Sequence, residues 1–268
     1  MTRRAKIKSQ FFQQIRDAAR RFHDHESMSR KKVLQWIEQF DDGDLECGMR
    51  VLQNIRYYSA PQIRGMLQTL VNLSYQRLRG IPRNKVYFVP VGRQGSGANI
   101  LARALGGTAR VSSSQVIHML ELHQLNANEV DGIVFLDDFS GTGDSLLDWW
   151  SNVEMMVRPK NARWVVAVLV LNYSVEEKLK DFTSEIVGVE HLSEEHNVLS
   201  PLSDSFTDPQ KDALVDYCGR TNADEGFERG YGDCGLLMAF RHGCPDNSLP
   251  ILWVQSSTWR PLFLRTAM

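Results

Sequence analysis

Apolar positions before residue 84 recur at helical spacing. In VLQWIEQF (33–40), four apolar residues fall on one face of a helix. The segment 59–80 carries an apolar stripe that begins after a candidate N-cap, Ser59, and stops at Gly80. We therefore expect a small all-helical module over residues 1–84.

From residue 85 onward, short continuous apolar runs alternate with helical patterns. The runs that indicate buried strands are KVYFVPV (85–91), IVFL (133–136), RWVVAVLVLNYS (163–174) and EIVGVEHL (185–192). The helical patterns between and after them cover 99–107, 145–157, 175–182 and 208–220. Two late strands are expected at 235–243 and 251–254. Such alternation predicts an α/β fold, a doubly wound and mainly parallel sheet, as one domain over residues 85–268.

Composition restricts the class of protein further. The longest apolar run, WVVAVLVL (164–171), is too short to span a bilayer, and no apolar signal segment follows the charged N-terminus. No two of the four cysteines have CxxC spacing, which favours free thiols in a reducing compartment. We therefore expect a cytoplasmic protein.

The formal net charge of −1 conceals an asymmetry. Residues 1–84 hold 16 Lys and Arg against 8 Asp and Glu, and the remainder holds 15 against 24. A basic N-terminal third can contact nucleic acid or an acidic partner protein. It can equally pack against the acidic remainder of its own chain, and the sequence leaves both possibilities open.

The segment IVFLDDFSGTGDSL (133–146) carries the strongest chemical signal. A buried strand ends in Asp137 and Asp138, and a turn of small residues leads into a helix near Asp144. Backbone N–H groups of such a turn, together with the helix N-terminus and nearby hydroxyls, bind a phosphate. Adjacent carboxylates accept hydrogen bonds from vicinal hydroxyls or hold Mg²⁺. A phosphate beside a diol is the pattern of a ribose 5-phosphate.

Other motifs fit less well. GDSL (143–146) suggests a serine hydrolase, but no histidine of the chain has an aspartate three residues before it. Neither glycine-rich turn has the Gly-Lys-Ser/Thr of a P-loop. GRQGSG (92–97) resembles a dinucleotide loop, but the acidic residue expected about 20 positions later is missing. A zinc site of Cys234, His242 and Cys244 lacks an evident fourth ligand.

VDGIVFLDDFSGTGDSL (130–146) resembles the ribose-phosphate signature of type I phosphoribosyltransferases. In that family, two acidic residues precede a Thr-Gly-Gly-Thr-like turn that holds the 5-phosphate of phosphoribosyl diphosphate, and an earlier loop contacts the diphosphate. The resemblance implies that Asp137 and Asp138 hold the ribose hydroxyls and Mg²⁺ and take part in catalysis. The residues that it places on the 5-phosphate are Ser140, Thr142, Gly143 and Ser145, and those on the diphosphate are Arg93, Gln94 and Gly95. Gly141 and Asp144 of the same turn are further candidate substrate-binding residues.

The layout of the whole chain also resembles phosphoribosyltransferase-like effectors of bacterial conflict systems, some of which are encoded beside retron reverse transcriptases. The resemblance rests on the helical start and on the tail HGCPDNSLPILW…WRPLF (242–263). It predicts a role in anti-phage defence. We place four tail residues at the base or acceptor: Arg241, His242, Asn247 and Trp253.

Two positions depart from the type I family. Gly141 stands where the family usually has an aspartate, and Asp144 stands where it has a glycine. The sequence therefore supports two functions. One is an enzyme of the pentosyltransferase class that acts at the anomeric carbon of a ribose 5-phosphate. The other is a non-catalytic module that senses a nucleotide while its basic N-terminus contacts nucleic acid or a partner protein.

Overall fold

The computed structural model describes residues 2–26, 28–92, 96–106, 110–157, 161–179 and 186–265. The α-helices within these residues are α1 (Arg3–Gln10), α2 (Phe12–Arg21), α3 (Arg30–Ile37), α4 (Leu45–Asn54), α5 (Ala60–Arg77), α6 (Gly97–Leu105), α7 (Met119–Gln124), α8 (Asp144–Val157), α9 (Val175–Leu179) and α10 (Asp208–Arg220). The strands are β1 (Arg56–Tyr58), β2 (Val86–Pro90), β3 (Gly132–Ser140), β4 (Arg163–Asn172), β5 (Ile186–Leu192) and β6 (Met238–Phe240). No helix of the described chain is both long and apolar enough to cross a membrane.

Four strands form the sheet that carries the predicted chemistry. They lie in the order β2-β3-β4-β5, and each neighbouring pair is parallel. Strands β3 and β4 read as nearly continuous apolar runs because both of their faces are buried. The predicted α/β class with a parallel sheet is confirmed.

Helices cover both faces of this sheet. On one face, Phe135 of β3 packs edge-on against Trp149 and Trp150 of α8, with ring centroids 5.0 and 5.8 Å apart. On the other face, Tyr75 of α5 packs against Phe88 of β2 at 5.9 Å. Since side chains alternate along a strand, consecutive residues of β3 face different helices.

The described residues form two compact units: 2–60 with 193–265, and 61–192. This division differs from the boundary that composition predicts at residue 84. In the first unit, β1 pairs in parallel with β6, and the N-terminal helices share one apolar core with residues between 198 and 263. Contacts between distant parts of the chain define this unit, and a change in local pattern does not reveal them.

Two local predictions need correction. Residues 56–58, within the segment expected to be helical, form β1 because β6 offers a partner about 180 positions later. The strand expected at 251–254 is wrong, since Pro250–Leu252 forms a 3-10 helix. There the carbonyl of Ile251 accepts hydrogen bonds from the indole nitrogens of Trp36 and Trp259, at 2.8 and 2.9 Å, and is therefore not free to pair in a sheet.

Candidate functional site

Strand β3 is longer than the apolar run 133–136 from which it is predicted. It extends to Ser140 because β4 is long enough to pair with it there. Its pairing with β2 on the other side ends earlier, at Pro90. Asp137 and Asp138 thus lie on β3 just past the end of β2. Ligands of open α/β sheets bind at such carboxyl ends of strands.

The two carboxylates interact with each other and are half-buried. Asp137 Oδ1 accepts a hydrogen bond from the backbone nitrogen of Asp138 at 2.9 Å. Burial raises the pKa of Asp137 well above its ordinary value, and the charge of Asp138 and a hydrogen bond with its side chain raise it further. The fold therefore brings together two acids that repel each other as long as no cation or hydroxyl donor lies between them.

Gly97, the first residue of α6, allows Asp138 to approach this helix. A Cβ atom added at Gly97 would lie 1.9 Å from Oδ2 and 2.3 Å from Cγ of Asp138. Only glycine leaves room for a carboxylate at this distance. The positive end of the helix dipole favours a negative charge at the start of α6. Asp138 is thus positioned by two elements, β3 and α6.

The turn between β3 and α8 consists of Gly141, Thr142 and Gly143. Gly143 has a φ of 80°, in the left-handed region that favours glycine. A Cβ atom at this position would lie 3.5 Å from Leu179 and 3.6 Å from Val175 of α9. The chain therefore reverses tightly at Gly143, with α9 packed against it.

The end of β4 fixes the start of the same turn. The carbonyl oxygen of Gly141 accepts hydrogen bonds from Asn172 Nδ2 at 3.1 Å and from Ser174 Oγ at 3.3 Å. The position where type I phosphoribosyltransferases usually have an aspartate thus carries no side chain here, and its backbone is held by residues 172–174. We refer to residues 172–179, which hold Gly141 and cover Gly143, as the bracing segment.

Asp144, the first residue of α8, forms an ion pair with Lys178 of the bracing segment. Its other carboxylate oxygen accepts a hydrogen bond from Thr142 Oγ1 at 2.8 Å. Lys178 therefore balances the negative charge that the sequence places in the turn. A bound phosphate dianion would meet a neutral pair there instead of an isolated carboxylate.

The other residues predicted to contact phosphate or diphosphate differ in their surroundings. Ser140 is only 5% exposed at the end of β3, whereas Ser145 is exposed in the first turn of α8. Arg93, Gln94 and Gly95 lie outside the described residues. The roles expected of these residues stay predictions.

Asn247 lies in the unit of residues 2–60 and 193–265, where it is buried. Its side-chain nitrogen donates hydrogen bonds to the carbonyl of Tyr231 at 2.9 Å and to Cys234 Sγ at 3.4 Å. The indole nitrogen of the nearby Trp253 donates to the carbonyl of Ser248 at 2.9 Å. These bonds account for the burial of both side chains, and their contact with a base stays a prediction.

Sequence reasoning missed four residues that shape the site: Gly97, Asn172, Ser174 and Lys178. Gly97 belongs to the GRQGSG motif, but its importance depends on Asp138, which is 41 positions away. Asn172 is the last residue of β4 and the other two follow it, and parallel pairing of β3 with β4 brings their segment to the turn. A search for polar residues at the end of the neighbouring strand and just after it would have selected Asn172 and Ser174.

The carboxylate pair suits Mg²⁺ shared with a substrate. Mg²⁺ keeps most of its waters and binds through one or two carboxylates together with substrate phosphates. Asp137 and Asp138 supply two such carboxylates from adjacent positions of β3. Within the described residues, no group of three or more His, Cys, Asp or Glu is placed to hold a metal by itself. Two adjacent carboxylates fit an ion that takes its other ligands from water and substrate.

In the four-stranded parallel sheet, the second strand, β3, carries an acidic pair near its end and leads through a glycine turn into a helix, as expected of a phosphoribosyltransferase-like protein. A comparison with sequence profiles of protein families matches residues 33–265 to PRTase-CE. The chain belongs to this family, which is phosphoribosyltransferase-like and of the conflict-system effector type. The resemblance seen in the sequence is thereby confirmed. Among curated proteins, no sequence matches the chain.

The raised pKa of Asp137 predicts a pH-dependent effect of Asp137→Asn on stability. An acid whose pKa is raised on folding favours the folded state at pH below about 4, its ordinary pKa, and loses this contribution as the pH rises through the raised value. An asparagine at this position carries no charge at any pH and avoids this loss of stability. We expect Asp137→Asn to stabilise the protein at pH 8 by on the order of 1–3 kcal/mol, the usual cost of an uncompensated buried polar group.

Calorimetry across pH 5 to 8 checks this effect, since 1 kcal/mol shifts Tm by about 2–4 °C in a protein of this size. The gain in Tm should grow with pH. The exposed Asp148 of α8 provides a matched control, and Asp148→Asn should change the Tm at pH 8 by less than Asp137→Asn does. An Asp137→Asn difference that does not change with pH would show that Asp137 ionises normally.

Proposed function

We propose that the protein binds the ribose 5-phosphate group of phosphoribosyl diphosphate or of a nucleotide, together with Mg²⁺, and acts at its anomeric carbon. One observation carries this proposal. An adjacent acidic pair, Asp137 and Asp138, lies at the end of β3 directly before a glycine turn that opens helix α8. This order supplies acceptors for the sugar and donors for the phosphate within eight residues.

In this proposal, the phosphate binds at the glycine turn between β3 and α8. Backbone N–H groups of residues 141–145 and the positive end of the α8 dipole attract an anion, as at other helix N-termini. The hydroxyl of Ser145 is exposed at the same end of α8 and can donate a further hydrogen bond. The bracing segment keeps the backbone of the turn in place before the ligand arrives, which reduces the entropy lost on binding.

The sugar binds beside the two carboxylates, on the sugar side of the site. Asp137 and Asp138 accept hydrogen bonds from the two ring hydroxyls, and the same oxygens can hold Mg²⁺. When bound, Mg²⁺ neutralises charge on the diphosphate or phosphate of the substrate. Hydroxyl donors and a cation both relieve the repulsion between the two acids. Binding should therefore lower the pKa of Asp137.

In the proposed reaction, the bond from the anomeric carbon to the leaving diphosphate or base breaks, and a bond to an acceptor forms. The leaving group takes the bonding electron pair, and the acceptor releases its proton to solvent. Positive charge develops on the sugar ring as the first bond breaks. The carboxylates of Asp137 and Asp138 stabilise that charge and hold the ring in position, so that electrostatics and orientation supply the rate increase.

Gly141 supports a second candidate function, a nucleotide-sensing module without turnover. The carboxylate that the type I family usually has at this position is missing, and the backbone oxygen of Gly141 is occupied by Asn172 and Ser174. Such a module binds the same ligand group with the same residues and performs no reaction. The two functions therefore predict the same binding and differ only in whether the bound ligand reacts.

Calorimetric titration and chromatography separate these functions. The protein is titrated with phosphoribosyl diphosphate and with nucleotides, with and without Mg²⁺, and the release of diphosphate or base is followed. If the protein is an enzyme, it should bind these ligands and release diphosphate or base. If it binds them but releases neither product with any acceptor, it is the sensing module. Asp137→Asn and Asp138→Asn should each weaken binding by about ten- to a hundredfold, since a hydrogen bond to a charged group contributes about 1.5–3 kcal/mol. Full affinity in both variants would contradict both functions.

As part of the same proposal, the site serves anti-phage defence, the role expected of a conflict-system effector. A bacterial host that expresses the full chain should then plate phage less efficiently than a host that expresses Asp138→Asn. The exposed Asp148→Asn again provides the matched control and should protect like the parent. Equal plating on all three hosts would argue against a defence role for this site.

A further inference from the structure

Two adjoining cavities in the unit of residues 2–60 and 193–265 are lined by cationic side chains. One has a volume of about 460 Å³ and is lined by Thr2, Arg4, Ala5, Lys8, Phe12, Ile15, Arg30, Lys31 and Leu34. The other, of about 440 Å³, is lined by Ser29, Lys31, Lys32, Gln35, Trp36, Gln255, Arg260, Pro261 and Leu264. Lys31 borders both. We refer to the two together as the basic groove.

Most of the cations that line the basic groove have no carboxylate partner among the described residues. Arg4 pairs with Glu38 at 3.2 Å. Four further cations of the groove form no ion pair with any carboxylate of the described residues, and these are Lys8, Arg30, Lys31 and Arg260. Neither lining contains Asp or Glu. These cations come from α1, from α3 and from residue 260, so the fold gathers them from parts of the chain more than 200 positions apart.

An exposed aromatic ring lies among these cations. Phe12 lines the larger cavity together with Lys8 and is 46% exposed. Leu264 lines the other cavity and is 47% exposed. Cations that track phosphates, combined with an aromatic platform for a base, are the features by which proteins bind single strands of nucleic acid. An acidic peptide would use the cations alone and has no need of the ring.

We propose that the basic groove binds single-stranded nucleic acid. The phosphates contact Lys8, Arg30, Lys31 and Arg260, and one base stacks on Phe12. Since this surface shares no residue with the candidate site on β3, the proposal holds or fails independently of the proposed function. It also explains why the positive charge of the chain is concentrated in its N-terminal third.

Fluorescence anisotropy with a labelled 20-nucleotide oligothymidine tests the proposal on the full chain. Four phosphate contacts on a single strand predict that the logarithm of the association constant falls with the logarithm of salt concentration with a slope of about −3. The double variant Lys8→Ala/Lys31→Ala should bind about tenfold more weakly or worse and reduce that slope by one to two, as about one is expected per phosphate contact. Phe12→Ala should weaken binding without changing the slope, because stacking releases no counterions.

Lys6 offers a matched control, since it is exposed on α1 but does not line the groove. Lys6→Ala should bind within about twofold of the parent, and an equal loss in Lys6→Ala and the double variant would show that only the general charge of the chain matters. Poly-glutamate serves as the alternative ligand. The nucleic-acid assignment is overturned if the oligonucleotide does not bind, if Phe12→Ala has no effect, or if poly-glutamate of the same length binds equally well.

Discussion

Gly97→Ala is expected to reduce the affinity for phosphoribosyl diphosphate by about ten- to a hundredfold, because a hydrogen bond to a charged group contributes about 1.5–3 kcal/mol. A Cβ atom at this position would lie 1.9 Å from Asp138 Oδ2. Because the short side chain of Asp138 can rotate away more easily than α6 can move, we expect the fold to survive and the carboxylate to be displaced. Titration calorimetry in the presence of Mg²⁺ measures the loss.

Gly65 provides the control for this experiment. It is exposed in α5 of the same unit, and no atom lies within 4 Å of a Cβ placed there. Gly65→Ala should bind like the parent and increase stability by up to about 1 kcal/mol through helix propensity. If Gly97→Ala binds as tightly as Gly65→Ala, Asp138 does not contact the ligand and the proposed sugar side of the site is wrong.

The sheet could be predicted from sequence because its signal is local. The apolar runs over β2, β3 and β4 appear in the residues themselves, since strands covered on both faces are mostly apolar. The same holds for the acidic pair and the glycine turn, which are contiguous. The end of β3 is harder to predict from the sequence. Asp137 and Asp138 interrupt the apolar run, yet pairing with β4 extends the strand through both of them.

The parts of the site that depend on contacts between strands and helices could not be predicted. Lys178 lies in VEEKLKDF (175–182), a segment that contains two lysines and two glutamates. Nothing in this sequence shows which lysine pairs with an acid elsewhere in the chain. Its partner Asp144 is 34 positions earlier. Only the packing of α9 on the turn at Gly143 selects Lys178. The pairing of β1 with β6 escaped prediction for the same reason.

The Asp144–Lys178 ion pair explains how an acidic residue can occupy a phosphate-binding turn. Asp144 alone would repel the dianion, whereas the pair is neutral and leaves the helix dipole and the N–H groups to act. Lys178→Met should therefore weaken the binding of ribose 5-phosphate by about tenfold or more, because charges a few ångströms apart near a surface interact by several kcal/mol. Asp144→Asn alone should bind as well as the parent or better.

The double variant Lys178→Met/Asp144→Asn is the decisive measurement. If Lys178 acts by neutralising Asp144, removal of both charges restores most of the affinity, with a coupling energy on the order of 0.5–3 kcal/mol. If Lys178 instead contacts the phosphate directly, the double variant stays as weak as Lys178→Met. The exposed pair of Lys85 and Asp131, 3.2 Å apart in the same unit but before β2 and β3, provides the control. Lys85→Met should leave the affinity unchanged. A parent that fails to bind ribose 5-phosphate would refute the proposed function, while equal affinity in every variant would refute only the role of the ion pair.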